Sequence, residues 1–138
     1  MTLKTNEKRL LDNLHTLLTF TDTPQDGVTR LSYGTQDARA REYIIKRAEN
    51  CGCSVSIDAL QNIRIGLPTN KPGRKTVLSG SHIDTVRNGG WLDGIYGVCG
   101  ALEVLETLAE NPDSLKDASS NYELVIFAEE EGSGFGST

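Results

Sequence analysis

The sequence predicts an α/β fold: a central, mostly parallel or mixed sheet flanked by helices. Three observations predict it. Two amphipathic helical stretches precede a pair of short alternating segments. Two apolar runs, Thr76-Val77-Leu78 and Leu124-Val125-Ile126-Phe127, read as buried strands. A long helical stripe separates those runs, so the second half reads strand-helix-strand, which favours a right-handed crossover between parallel neighbours. At 138 residues the chain forms at most one domain.

Leu10, Leu11, Leu14, Leu17 and Leu18 recur at helical spacing and predict a helix from about Lys4 to Phe20. Thr21 to Gly34 is polar, carries Pro24 and Gly27, and reads as a loop. Thr35 is the expected N-cap of a second helix, with Asp37 in its first turn and Ala38, Ile44, Ile45 and Ala48 on its apolar face. That helix should end near Asn50, before Gly52. Cys53 to Leu60 alternates around Val55 and Ile57, and Asn62 to Leu67 around Ile63 and Ile65. The two segments should pair as a hairpin turning about Ala59 to Gln61. Pro68 to Arg74 is a turn, and Lys75 to Ser81 a strand suited to the middle of a sheet. Ile95, Val98, Ala101, Leu102, Leu105 and Leu108 form the helical stripe, closed by Pro112. Asn111 to Asn121 is a polar connection, and Tyr122 to Ala128 another central strand.

Composition narrows the partners. A formal charge of −5 argues against nucleic acid or an anionic membrane as the main partner. No apolar run is long enough to span a bilayer, and the polar first residues lack a signal-peptide apolar region. Three cysteines, an odd number, fit a reducing cytoplasm. Cys51-Gly52-Cys53 is not Cys-x-x-Cys and reads as packed or surface thiols.

Chemistry concentrates where strands should end. The first apolar strand delivers His82 and Asp84, which face the same way if the chain stays extended. A neutral imidazole can ligate a metal while a nearby carboxylate fixes its tautomer. Asp93 follows Gly89-Gly90 at the start of a helix. The second apolar strand delivers Glu129, Glu130 and Glu131 to the same sheet edge, where open α/β sheets hold their sites. Adjacent carboxylates repel unless a cation offsets them, and a divalent ion supplies that offset. An isolated His-x-Asp is more often a loop hydrogen-bonded pair, and a lone Asp93 only a turn or helix cap. The joint pattern favours a metal site. Gly132 to Gly136 lacks the Lys-Ser/Thr of a phosphate loop and reads as a turn.

The motifs Gly80-Ser81-His82-Ile83-Asp84-Thr85-Val86, then Gly89-Gly90-Trp91-Leu92-Asp93-Gly94 running on to Gly97-Val98, then Glu130-Glu131-Gly132-Ser133, carry a resemblance. In this order and spacing they resemble the zinc-aminopeptidase-type metallohydrolase family. The resemblance is to its amidohydrolase branch of N-carbamoyl-L-amino-acid hydrolases, β-ureidopropionases and allantoate amidohydrolases. Tyr33-Gly34, Asp37, Ala40-Arg41, Asp58 and Asn62 match the branch too, so the resemblance covers nearly the whole chain.

The resemblance implies a site for two divalent ions, zinc or else manganese, cobalt or nickel. His82 and Glu131 would be metal ligands, Asp93 a bridge between the ions, Asp84 the residue orienting His82, and Glu130 the general base that activates water. The implied reaction is hydrolysis of a linear C–N bond in a small carbamoyl or ureido substrate. Glu129 stands where the branch often has Asn and receives no catalytic role; Gly134 stands where it usually has Arg. Family members are roughly three times longer, on the scale of typical domain sizes. On that basis residues 1–138 are expected to be the N-terminal part of a catalytic domain. The remainder, with two further His ligands, substrate-binding Arg and Asn residues and a dimerisation domain, would lie elsewhere. Full-length relatives are expected to be homodimers, and this chain is expected to associate through the sheet surface left uncovered. Two alternatives stand beside the amidohydrolase reading: a non-catalytic remnant that binds metal weakly, and a related metallo-aminopeptidase or dipeptidase.

Overall fold

The computed structural model describes residues 2–132. Gly134 and most of the expected turn at 132–136 lie outside the described residues.

Helix α1, Glu7–Leu18, opens on Asn6, whose side chain accepts from the Arg9 backbone N–H at 3.0 Å. Helix α2, Thr35–Asn50, starts one residue earlier than expected. Its cap is Gly34, and Thr35 already lies inside the helix. Asp37 reaches back instead, and its carboxylate accepts the Tyr33 backbone N–H at 3.0 Å. Strands β1, Ser54–Ile57, and β2, Ile63–Gly66, form the expected antiparallel hairpin, with Val55 opposite Ile65. Strand β3, Lys75–His82, leads through helix α3, Ile95–Glu110, to strand β4, Ser120–Phe127. The polar connection between α3 and β4 contains a short 3-10 turn, Pro112–Leu115.

The four strands form one mixed sheet in the order β1-β2-β4-β3. β3 and β4 run parallel, as the crossover predicts, and β2 meets β4 antiparallel. One expectation changes. β4 is central, but β3 is an outer strand among the described residues, and Val77 and Leu78 are both about half exposed. An apolar run marks a strand meant to be covered, but it does not say where in the sheet the strand lies. Gly80 lets β3 and β4 approach closely, since a Cβ there would lie 1.8 Å from the Val125 carbonyl oxygen.

One core joins all three helices to one face of the sheet. Ile63 and Ile65 of β2 lie opposite Ile126 and Leu124 of β4. These four pack with Leu17, Ile44, Val98, Leu102 and Leu105. Arg9 ties α1 to α3 through the buried Glu103 and Glu106, at 2.7 and 3.0 Å. The opposite sheet face is mixed: Arg64 pairs with Glu123 at 2.6 Å, beside the apolar Leu78, Val125 and Phe127. No helix among the described residues is long and apolar enough to cross a membrane.

Candidate metal centre

The parallel register sets His82, the last residue of β3, beside Phe127, the last of β4. Both strands therefore release their following residues at one sheet edge. His82 is buried, with its ring against the start of α3. Gly94 makes that contact possible: its φ is +67°, and a Cβ there would lie 2.6 Å from His82 Nδ1.

The two imidazole nitrogens face different partners. Nδ1 lies 3.0 Å from the backbone carbonyl oxygen of Asp84 and 3.5 Å from its carboxylate Oδ1. With the proton on Nδ1, the carbonyl accepts it, and Nε2 is left as the lone-pair nitrogen. Nε2 points to Glu130 Oε2 at 3.4 Å. The sequence reading gives Asp84 one orienting role, but the geometry divides the residue in two. Its backbone oxygen holds the imidazole, while its carboxylate Oδ2 accepts the Glu131 backbone N–H at 3.0 Å. Asp84 thus ties the end of β3 to the turn after β4.

His82, Glu130 and Glu131 each offer one ligand atom, and these atoms all lie within 4.8 Å of one another. Asp93, exposed in the loop before α3, lies close enough to Glu131 to act on its carboxyl. Burial, then Asp93 and its charge, then Glu130 hold the Glu131 carboxyl above the usual carboxylate range, with His82 opposing them. All five predicted site residues therefore meet at one edge. His82, Glu130 and Glu131 form the compact group; Asp93 and Asp84 attach through Glu131.

This donor set fits a divalent ion. Imidazole nitrogen and carboxylate oxygen bind zinc at roughly 2.0–2.2 Å, so a trio of this span needs only a small contraction to close on an ion. Asp84 Oδ1 is buried with no hydrogen-bond partner among the described residues, and carboxylates at this density favour a nearby cation.

Glu131 makes stability depend on pH. Its folded-state pKa is raised, so its contribution is present below the ordinary carboxylate range and is lost as pH rises through the folded value. Asp37 and Glu106 are raised by burial and act in the same direction. We expect the metal-free chain to have a higher urea midpoint near about pH 5 than near about pH 7.5. The Glu131→Gln variant should lose part of that slope; an unchanged slope would rule out Glu131 as a source.

Sequence reasoning missed one residue that shapes the site. Arg30, in the polar loop before α2, is fully buried. Its Nε donates to the Ile83 carbonyl at 2.6 Å, and its Nη1 donates to the Leu17 and Phe20 carbonyls at 2.7 and 2.8 Å. Its backbone N–H donates to Thr85 Oγ1 at 2.8 Å, and its carbonyl accepts from the Thr85 N–H at 3.0 Å. Arg30 therefore clamps the segment that carries Asp84. Nothing in its sequence neighbourhood signals burial. Glu129 has φ +56°, a left-handed backbone that Asn tolerates better than most residues.

No protein-family model matches the chain. Individual proteins do match. The chain is 40% identical over 111 residues to an N-carbamoyl-L-amino-acid amidohydrolase of Paenarthrobacter aurescens, covering 80% of this chain and 26% of that protein. It is 35% identical over 120 residues to a ureidoglycolate hydrolase of Oryza sativa subsp. japonica, covering 87% and 24%. It is 35% identical over 124 residues to the allantoate amidohydrolase of Escherichia coli K12, covering 90% and 29%. A solved hydantoinase/carbamoylase-family amidase from Burkholderia vietnamiensis superposes with a TM-score of 0.84 at 36% identity, covering 94% of this chain and 31% of that one. The chain thus spans about a quarter to a third of the length of the relatives it matches.

Proposed function

The chain is related in sequence and fold to the carbamoylase-type amidohydrolases, and from that premise we propose that it supplies part of a divalent-metal amidohydrolase centre. The reaction is hydrolysis of a linear C–N bond in the carbamoyl or ureido group of a small molecule, such as an N-carbamoyl amino acid or allantoate. The observation that carries this reading is the convergence of His82, Glu130 and Glu131 within 4.8 Å from two separate strand ends.

His82 Nε2 and Glu131 would hold metal, and Asp93 would bridge to a second ion. Zinc, manganese, cobalt and nickel all suit nitrogen and carboxylate donors. A divalent ion supplies Lewis acidity, which polarises a carbonyl and makes water easier to deprotonate. Asp84 holds the His82 tautomer and fixes the Glu131 backbone. Glu130 takes the proton from the attacking water and returns it to the leaving nitrogen. Water oxygen bonds to the carbonyl carbon, the C–N bond breaks, and the nitrogen leaves protonated.

The test is ammonia release from N-carbamoyl amino acids, allantoate and ureidoglycolate. Turnover should require a divalent ion and stop on chelation; turnover that survives chelation would end the metal reading. The trio also suits a metal-binding part that gains its remaining ligands from elsewhere, because three donors leave a shell short of four. Stoichiometric metal binding without turnover would favour that second reading.

The uncovered edge of β3, with Val77 and Leu78 exposed, supports association of this chain. Light scattering should give a mass above 15.0 kDa, and a monodisperse monomer would contradict it. Free thiols at Cys51, Cys53 and Cys99 support a reducing, cytoplasmic setting.

A further inference from the structure

We infer that Asn62 is a positioning residue for the metal centre: oriented by Asp58, it fixes the point at which the chain carrying Glu130 and Glu131 leaves the sheet. The inference rests on the metal-centre reading above and extends it to a loop on the far side of β4.

The backbone ladder between β2 and β4 ends with Ile63 opposite Ile126. Just beyond it, a side chain takes over. Asn62 Oδ1 accepts the Ala128 backbone N–H at 2.9 Å. Ala128 is the first residue after β4, and Glu130 and Glu131 follow two and three positions later. At the other end of this short stretch, Asp84 Oδ2 accepts the Glu131 N–H at 3.0 Å. The glutamate-bearing turn therefore hangs between two side-chain acceptors. One belongs to the site. The other, Asn62, lies outside it.

The amide of Asn62 has only one orientation that satisfies both of its ends. Its Nδ2 donates to Asp58 Oδ2 at 2.9 Å, which leaves Oδ1 to face Ala128. Asp58 Oδ1 accepts the Leu60 and Asn62 backbone N–H groups, both at 2.9 Å. One exposed carboxylate thus joins the backbone bonds Asp58 N–H to Asn62 O and Gln61 N–H to Asp58 O, at 3.0 and 2.9 Å, in closing the β1–β2 turn. The Asn62 amide foremost, opposed by burial and helped by the Asn62 and Leu60 backbone N–H groups, holds the Asp58 carboxyl below the usual carboxylate range. The turn is braced from behind. Tyr33 donates its hydroxyl to the Leu60 carbonyl at 3.3 Å, and Arg41 donates to the Gln61 carbonyl. Gln61 has φ +70°, a conformation the surrounding bonds must hold in place.

A plain strand cap would contribute stability alone, whereas a positioning residue must change metal affinity out of proportion to stability. Groups that orient ligands from behind typically change metal affinity about 10–100-fold. We would titrate the full chain with Co2+ and follow backbone amide exchange in the metal-free chain. Asn62→Ala should weaken Co2+ binding at least about 10-fold and speed exchange at Ala128 and Glu131, with little change in the urea midpoint. Asp58→Ala should weaken binding less, and should add nothing in the Asn62→Ala background. The exchanged pair D58N/N62D keeps one amide and one carboxylate in mutual contact and should restore affinity.

Loss of affinity only in step with loss of stability would overturn the inference, as would failure of the exchanged pair to restore binding. His82→Ala is the separate control. If it leaves Co2+ affinity unchanged, the metal-centre reading fails. Glu131 amide exchange in Asn62→Ala then decides the positioning claim alone: faster exchange upholds it, and unchanged exchange overturns it.

Discussion

Arg30→Met should destabilise the chain by about 3–5 kcal/mol, the largest stability effect expected from any single loop residue. The guanidinium makes three hydrogen bonds to the carbonyls of Leu17, Phe20 and Ile83, all from within the core side of a loop. A buried ion pair can often be exchanged for apolar residues at little cost, because both partners can be replaced. That escape is closed here. The partners are backbone carbonyls, which remain when the side chain is removed. Each acceptor left unsatisfied costs about 1–3 kcal/mol, partly offset where it has a second donor. The Leu17 carbonyl has one, the Phe20 N–H at 3.3 Å, so the sum falls below three full penalties.

Burial lowers the Arg30 pKa to about 10, with Asp37 and Asp84 opposing the shift, so the group stays cationic at neutral pH. Arg30→Lys should lose less, because an ammonium keeps the charge and can reach some carbonyls without the planar fork. Urea unfolding of the three proteins checks the order. A loss below about 1 kcal/mol for Arg30→Met would show that water or rearranged backbone satisfies those carbonyls.

Arg30 also shows where sequence reasoning stops. Helical periodicity and apolar runs located all three helices and all four strands, because each element buries one stripe or one run and its period is written in consecutive residues. Burial of Arg30 is not written that way. It arises where the end of α1, the loop before α2 and the exit of β3 meet, and no window of neighbouring residues contains that meeting. The outer position of β3 was hidden for a related reason. An apolar strand flanked by a crossover helix can sit at either side of its partner, and composition does not choose between them.

The site was legible to a different depth. Separate runs of His and carboxylates pointed to one edge because parallel strands release their chains together. The finer wiring was not legible. Asp84 serves His82 through its backbone oxygen and Glu131 through its carboxylate, a division that depends on how Ile83 to Thr85 is pinned. Asp58 and Asn62 stood out as matching positions, but the contact of Asn62 with Ala128 spans 66 residues of chain and is visible only in the folded register.

Glu130→Gln should reduce turnover by about 10^2–10^4-fold, on the order of 3–5 kcal/mol of barrier, while leaving metal affinity within about threefold. The substitution keeps size and hydrogen-bonding reach but removes the capacity to accept a proton from water. Two roles compete for this residue. Its Oε2 sits 3.4 Å from His82 Nε2, close enough to count among the donor trio, yet its side chain is 54% exposed, as a base open to water and substrate would be. Turnover and affinity separate the roles, since a ligand lost to an amide weakens metal binding about 10-fold or more, whereas a base lost to an amide does not. Glu131→Gln is the internal contrast. Half-buried and backed by the Asp84 contact to its own N–H, Glu131 has the fixed geometry a ligand needs, so its amide variant should lose affinity first and turnover as a consequence. If the two variants exchange behaviours, with Glu130→Gln releasing metal and Glu131→Gln retaining it, the assignments must be exchanged as well. If Glu130→Gln retains both metal and full turnover, Glu130 is not the base, and Glu131 and Asp93 become the next groups to test for proton transfer.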